Sequence, residues 1–549
     1  MPLSATLTHL ETAGLIRLAA AAPDLAYAFR HGLMQDAAYS TLLRGQRQAW
    51  HQATAEILEA AYLAADASGG ADAGALSPIL AHHFTNAGDK PRALHYLVLS
   101  ADAAFDRYAN VEAIDFYSRA LQIAQEPGAA DRARLAYLFQ RLGLALELTS
   151  QFQAALEHYQ RQEALALKLG DQPLELASLT RRAIILSTAN FVTNVEQAMD
   201  LLERARRLAH AIGDRAAEAR ISWTLLLNNT MAGGDVSERI EHGERALRLA
   251  LSLGDRELLA SIHMDLWYGY AGASRWQQAL AALAAGEKIS REIGNLPVLC
   301  ETMTRSALSH LATGNYTAAL AIMDEAYRVA EAANSADFRS LARAFTGLIH
   351  QDRGDFDQAI QVAEAAIAQG EISGNVTALI GTRSDLARAY ALLGDLDHAL
   401  SLAQQAHQVA STQFEVLIGW PLSALMHLHL LRGEVAQAAA IQSSAPDYRD
   451  LQRRLNFMAP MWINMALANI ELALAQNQFE PAAAQSAELI QRLIDCGLTF
   501  RLPDARLRLG EALLRQGRLP EAQAALQAAL QAAETLGSRR VLWPIFEAL

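Results

Sequence analysis

The chain has 549 residues, 52% of them hydrophobic, 19% charged and 7% aromatic, which is ample for a large buried core and too apolar for disorder. With so few aromatics, alanine and leucine must supply the packing, and these strong helix formers make the class all-α. The formal net charge of −13 argues against a nucleic-acid surface, which needs a basic face to neutralise phosphates.

At the N-terminus, Leu7–Glu11 reads as the end of a helix closed by Gly14. Leu15–Ala19 and Ala26–Phe29 then read as a hairpin turning at Pro23-Asp24. A helix plus a two-stranded wing over residues 1–30 is what remains of a winged-helix domain that has lost its front. Only Arg17 and Arg30 are basic there, so duplex DNA binding is the weakest functional reading. No basic region precedes the first apolar stretch, and Glu11 and Arg17 interrupt it, so a signal peptide is not expected. No run approaches the length of a membrane helix, and the expected location is the cytoplasm. Residues 31–89 read as a helical junction.

From residue 90 to 549 the chain is periodic. A short turn is followed by a large residue and then by Ala-Leu or Ala-Ile: Trp276 with Ala279-Leu280, Tyr316 with Ala319-Leu320, Phe356 with Ala359-Ile360, Leu396 with Ala399-Leu400. The large residues at 276, 316, 356 and 396 are each 40 apart. Between them lies a second punctuation: Gly170-Asp171, Gly213-Asp214, Gly254-Asp255, Gly294-Asn295 and Gly374-Asn375. Glycine suits the left-handed residue that ends a helix, and Asp or Asn caps the next. Two turns per unit give two helices of about 15 to 18 residues each. Small residues seven before the first turn (Gly143, Ala307, Gly347, Ala387, Gly510) face the alanines after it, so the two backbones approach closely. Arg239 stands where the turn alanine is expected, and the pattern is irregular near Val435 and Phe479.

These residues resemble the tetratricopeptide repeat, which implies a right-handed α-solenoid of about eleven helix pairs with first helices lining its concave side. A second resemblance precedes the array. Tyr27-Ala-Phe29-Arg30-His31, Asp36-Ala-Ala-Tyr39, Arg47…Trp50-His51 and Leu80-Ala-His82-His83-Phe84…Ala87-Gly88-Asp89 are similar to the junction in bacterial signalling ATPases of the STAND class. Those relatives include proteins fused to adenylate or guanylate cyclase domains and proteins like the maltose regulator. The resemblance implies a nucleotide-switch module ahead of the junction. No Gly-x-x-x-x-Gly-Lys-Ser/Thr occurs, and Lys90, Lys168 and Lys288 follow no glycine-rich loop, so no catalysis is expected of this chain. It is either a truncated or split relative, or Met1 is not the biological start.

No cofactor or metal is expected. Cys300 and Cys496 fit no metal spacing and read as small hydrophobes in a reducing compartment. His82-His83 and His427-x-His429 lack the spacing of three or four that puts ligands on one helix face. Trp267 and Tyr270 read as structural. Helical bookkeeping places Asn190, Asn228, Tyr268, Gln351, Arg388 and His427 along the concave groove, a mixed polar surface for a protein, peptide or small effector. The expected function is a non-catalytic sensing scaffold of a bacterial signalling or transcription-regulatory ATPase system. The alternative is a subunit of a nucleotide-cyclase or NTPase regulator whose catalytic domains lie elsewhere.

Overall fold

The computed structural model describes residues 3–20, 26–67, 73–188 and 190–549, which fall into two compact units, Met1–Gln151 and Phe152–Leu549. The first unit opens with helix α1 (Leu3–Thr12) and two strands, β1 (Ile16–Ala20) and β2 (Ala26–Phe29), paired antiparallel with Ile16 opposite Phe29. The expected turn at Pro23-Asp24 lies outside the described residues. Helices α2 (Gly32–Ser40), α3 (Arg44–Ala67), α4 (Ala73–Ala87), α5 (Lys90–Asp106), α6 (Asn110–Ala124) and α7 (Arg132–Leu148) follow. From α3 to α7 each helix packs on the next, around Leu80, Phe84, Tyr96, Leu97 and Tyr117. Asp89 caps α5 by accepting from the Arg92 amide.

The second unit is all helical among its described residues. It runs α8 (Phe152–Leu169), α9 (Gln172–Leu186), α10 (Val195–Ile212), α11 (Arg215–Ala232), α12 (Val236–Leu253), α13 (Arg256–Gly272) and α14 (Trp276–Ile293). Then come α15 (Leu296–Ala312), α16 (Tyr316–Ala332), α17 (Ala336–Arg353), α18 (Phe356–Ser373), α19 (Val376–Leu392), α20 (Leu396–Gln413) and α21 (Gly419–Leu431). It closes with α22 (Val435–Ser444), α23 (Tyr448–Leu455), α24 (Ala459–Ala475), α25 (Phe479–Asp495), α26 (Leu502–Arg515), α27 (Leu519–Leu536) and α28 (Leu542–Ala548). Each helix packs on its successor except α22, which packs on α21 and α24, and the first helices (α11, α13, α15, α17, α19, α21, α24, α26) also touch one another. This is an α-solenoid of tetratricopeptide-like pairs.

Local chemistry sets the boundaries. Gly213, Gly254, Gly294 and Gly374 end their helices in the left-handed region, and Asp214, Asp255, Asn295 and Asn375 each accept a backbone N–H of the next helix. Within a pair, Ala307 and Ala387 on the first helix and Ala319 and Ala399 on the second are wholly buried. At Gly347 an added Cβ would already lie 3.4 Å from the Ala359 carbonyl, so the backbones meet as closely as the alanine seam requires. The irregularity near Val435 has a plain cause: α22 is cut to 10 residues, and α23 is inserted before the next first helix.

Stacking of neighbours alone would leave the superhelical pitch soft. Here the pitch is fixed by contacts between successive superhelical turns. Asn456 Nδ2 donates to the Ala271 carbonyl, 185 residues away, at 3.1 Å, and reaches Ser274 Oγ at 3.2 Å. The Thr499 amide donates to the Ala312 carbonyl at 3.0 Å, and Ser538 Oγ to the Asp352 carbonyl at 2.8 Å, 186 residues apart. With a 40-residue unit, that separation puts between four and five pairs in one turn. Arg239 now has a reason. It is fully buried, and it donates to Gly234 and Asn229 in its own turn and to the Arg454 carbonyl of the next superhelical turn. The turn alanine is replaced by a side chain long enough to bridge.

Contrary to expectation, one stretch has the length and hydropathy of a membrane span, Tyr448–Ala475. In the fold it is broken by a 3-10 turn at Asn456–Met458, and Met461, Trp462, Ile463 and Met465 are fully buried in the core. Its apolarity comes from the burial of α24 in the core, while Arg453 of α23 stays exposed.

Two glycines separate the cost of a left-handed residue from the cost of closure. Gly354 and Gly394 have φ of 86° and 87°, yet a Cβ at 354 would lie 2.8 Å from the Arg540 amide nitrogen, while at 394 nothing comes within 4 Å. We expect Gly394→Ala to cost about 1 kcal/mol and Gly354→Ala about 2 to 3 kcal/mol or more, in urea unfolding monitored by circular dichroism.

Candidate functional site

The concave side is built from the first helices, which are bonded to each other by a ladder of polar side chains about one repeat apart. Trp223 Nε1 on α11 donates to Asp265 Oδ2 on α13 at 2.7 Å, and Arg305 Nη1 on α15 donates to Asp265 Oδ1 at 2.5 Å. Trp267 Nε1 donates to Ser309 Oγ at 2.8 Å. On α21, Trp420 Nε1 donates to Asp385 Oδ1 of α19 at 2.9 Å, and Arg388 Nη2 donates to Ser423 Oγ at 2.9 Å. Further along, Glu471 on α24 accepts from His427 at 2.7 Å and from Arg508 Nη2 of α26 at 2.6 Å, and Arg508 also grips Glu511 at 2.8 Å. Buried polar groups need such partners, and these bonds also fix the angle between repeats.

A second polar cluster lies where superhelical turns meet. Asp352, with no exposed surface, is 2.8 Å from Arg501 Nη2 and 3.7 Å from Arg540 Nε. Arg540 holds Asp504 with two nitrogens at 2.8 and 2.9 Å.

The six residues placed on the groove by sequence have three different situations. Asn190, Asn228 and Gln351 are buried. Asn190 organises the loop before α10, donating to Ile185 O and Thr188 Oγ1 and accepting from the Val192 amide, while Asn228 accepts from Ser187 Oγ. Asn228 and Gln351 lie on α11 and α17, first helices that touch the first helices on either side, whereas Asn190 is buried by its own loop. Tyr268 on α13 is covered by the chain's own Phe457 at 4.9 Å between ring centroids, with the Arg305 guanidinium 4.4 Å from the ring. His427 pairs with Glu471, while Arg388 donates to Ser423 and feels Glu471 only through its charge.

His427 is the one of the six that lines a large cavity, of about 600 Å³. Its polar wall is His427, Glu471, Arg508 and Glu511, and Leu431 and Leu514 are half-exposed on its apolar wall. Arg515, Pro544 and Glu547 also line it, the last two from α28. Sequence reasoning missed Glu471 and Arg508, which sit in irregular or terminal repeats. It also missed a signal that was present: Asp265, Arg305 and Asp385 all stand two residues before the seam position (267, 307, 387), charged groups at a core register.

The electrostatics of the wall are set by pairing against burial. Burial pushes the Glu471 carboxyl up, but His427 and Arg508, with Arg388 behind them, outweigh it and hold it well below the usual carboxylate range. Burial lowers Arg388 to about 10 despite Glu471. Asp385 goes the other way: burial raises it to about 7, opposed by the Trp420 N–H and by Arg388. An acid whose folded pKa is raised contributes stability that is lost as pH climbs from its unfolded value, near 4, to its folded one. We expect Asp385→Asn, which keeps an acceptor for Trp420, to gain stability relative to wild type progressively between pH 4 and 7. Thermal melts of both proteins across that range check this.

A model of the family described as the MalT-like TPR region matches residues 227–542 of the chain. No curated protein matches significantly in sequence. Among solved structures, a Rap protein complexed with Competence and Sporulation Factor is 11% identical, with a TM-score of 0.47 over 66% of this chain and 98% of that one. The apo quorum sensor NprR from B. thuringiensis is 12% identical, with a TM-score of 0.42 over 67% and 99%. A STAND signal-transduction ATPase with a tetratricopeptide-repeat sensor from Pyrococcus horikoshii is 13% identical, with a TM-score of 0.38 over 85% and 60%. Likenesses this distant carry no functional argument.

Proposed function

Since the chain belongs to the family of the MalT-like TPR region, we propose that it is a non-catalytic sensing scaffold of a bacterial signalling ATPase system. Its ligand is a protein segment, a peptide or a small effector, received in the cavity lined by His427, Glu471, Arg508 and Glu511. One observation carries this reading. The other polar positions described above are buried or covered by Phe457, whereas here an internally paired polar wall and half-exposed leucines face the same open space. Ligand sites combine such apolar area with a few fixed polar groups. Arg388, His427 and Tyr268 keep their proposed place on the sensing side, Tyr268 as a covered position that opens only if Phe457 moves. Two free cysteines accord with a reducing compartment, and we place the protein in the cytoplasm.

The test uses Leu431→Glu and Leu514→Glu, which put charge into the cavity without touching the Glu471 pairs. Immobilised wild-type chain is expected to retain a specific partner or effector from its source cell, and both variants to lose it at least tenfold while melting within a few degrees of wild type. Equal retention by both variants would place the binding surface elsewhere.

A further inference from the structure

Helices α1 and α2 of the N-terminal segment make little apolar contact: neither has a buried residue, and Leu33 of α2 is 82% exposed. What ties α2 to its neighbours is polar. Tyr39 OH lies 2.9 Å from His51 Nε2 on α3, and His51 Nδ1 lies 2.8 Å from His83 Nδ1 on α4. Arg47 completes the contact, donating from Nε to the Leu42 carbonyl with its guanidinium 5.1 Å from the Tyr39 ring. The third ring, His82, stands 5.6 Å from His51 and 5.3 Å from His83 between centroids. From α2 the group is faced by Tyr39, from α3 by Arg47, and from α4 by His82. Among the described residues no carboxylate pairs with any of the three imidazoles.

We propose that Tyr39, His51 and His83 form a proton-sensitive latch that fastens α2, and with it the N-terminal segment, to α3 and α4. The argument is one of hydrogen counting. A neutral imidazole offers one N–H and one lone pair, and a protonated one offers two N–H groups. With both rings neutral, one Nδ1–H points at the other ring's Nδ1 lone pair, and the chain continues through His51 Nε2 to the tyrosine hydroxyl. With one added proton the contact still survives, because one Nδ1 lone pair remains. With two, N–H faces N–H at 2.8 Å and the bond cannot form, so the closed latch takes at most one proton while the open one takes two. The environment pushes the same way: burial lowers both rings from their ordinary value, His82 lowers both further, and His51 itself adds to the lowering at His83. A histidine whose folded pKa is depressed contributes stability that is present above its unfolded value, near 6.5, and is lost as pH falls below it. Opening therefore takes up at least one proton in acid, and the segment is released as pH drops.

Hydrogen exchange of the full chain between pH 7.5 and 5, corrected for intrinsic rates, tests the latch on α2 (Gly32–Ser40). In the wild type, protection of α2 is expected to fall by about tenfold per pH unit below the transition, as uptake of one proton requires, while α5 and α6 stay unchanged. His83→Gln removes one titrating ring and should flatten that dependence. Tyr39→Phe removes the hydroxyl and should lower α2 protection at every pH, leaving the rest of the chain as it was. The proposal is overturned if wild-type α2 protection does not change with pH, or if His83→Gln, melting like wild type, retains the full dependence.

Discussion

The second unit depends on one buried carboxylate. Asp352 ends a first helix with no exposed surface, and a lone charge there would be prohibitive. Its compensation comes from Arg501 and Arg540, side chains reached only after the superhelix has gone once round. The same turn supplies the backbone carbonyl that receives Ser538, and the neighbouring turns receive Thr499 and Asn456. The buried charges are thus paired in one geometry, and that geometry sets the pitch. Apolar packing adds to it: Trp267, Trp276, Tyr316, Phe457, Leu498 and Phe500 belong to a single buried core that spans the two superhelical turns.

Closure has a consequence for binding. A solenoid with a wide pitch exposes its concave face along its whole length, but here the first helices are drawn together until their polar side chains bond to each other. The Trp223–Asp265–Arg305 and Trp420–Asp385 contacts are core interactions made of polar atoms. Open space with both polar and apolar walls remains near α28, where Glu471 is shared between His427 and Arg508. Location of the cavity and rigidity of the rest have the same cause.

The repeat unit was legible because its determinants are local: a left-handed glycine, a capping Asp or Asn, a large residue and an alanine recur every 40 positions and act within one pair. The contacts between superhelical turns were not, because a 185-residue separation follows from small rotations summed over several repeats. Arg239 shows the boundary between the two. Its departure from the pattern is visible in the sequence, but its partner, the Arg454 carbonyl, is visible only in three dimensions. The groove assignments lacked the pitch that decides whether such a face is covered: Tyr268 lies under Phe457, and His427 lines a cavity. Near the N-terminus the histidines were read in pairs along the chain, whereas the contact that matters joins His51 to His83 across two helices.

The Thr499 amide tests closure most directly. It lies in the connection between α25 and α26, and its hydrogen-bond acceptor is the Ala312 carbonyl on the previous superhelical turn. Residue-resolved hydrogen exchange should find it protected to the level of the α24 core amides, since both open only when the turns separate. Exchange at the rate of an exposed loop, with α24 still protected, would show that the turns do not touch in solution and would contradict this account.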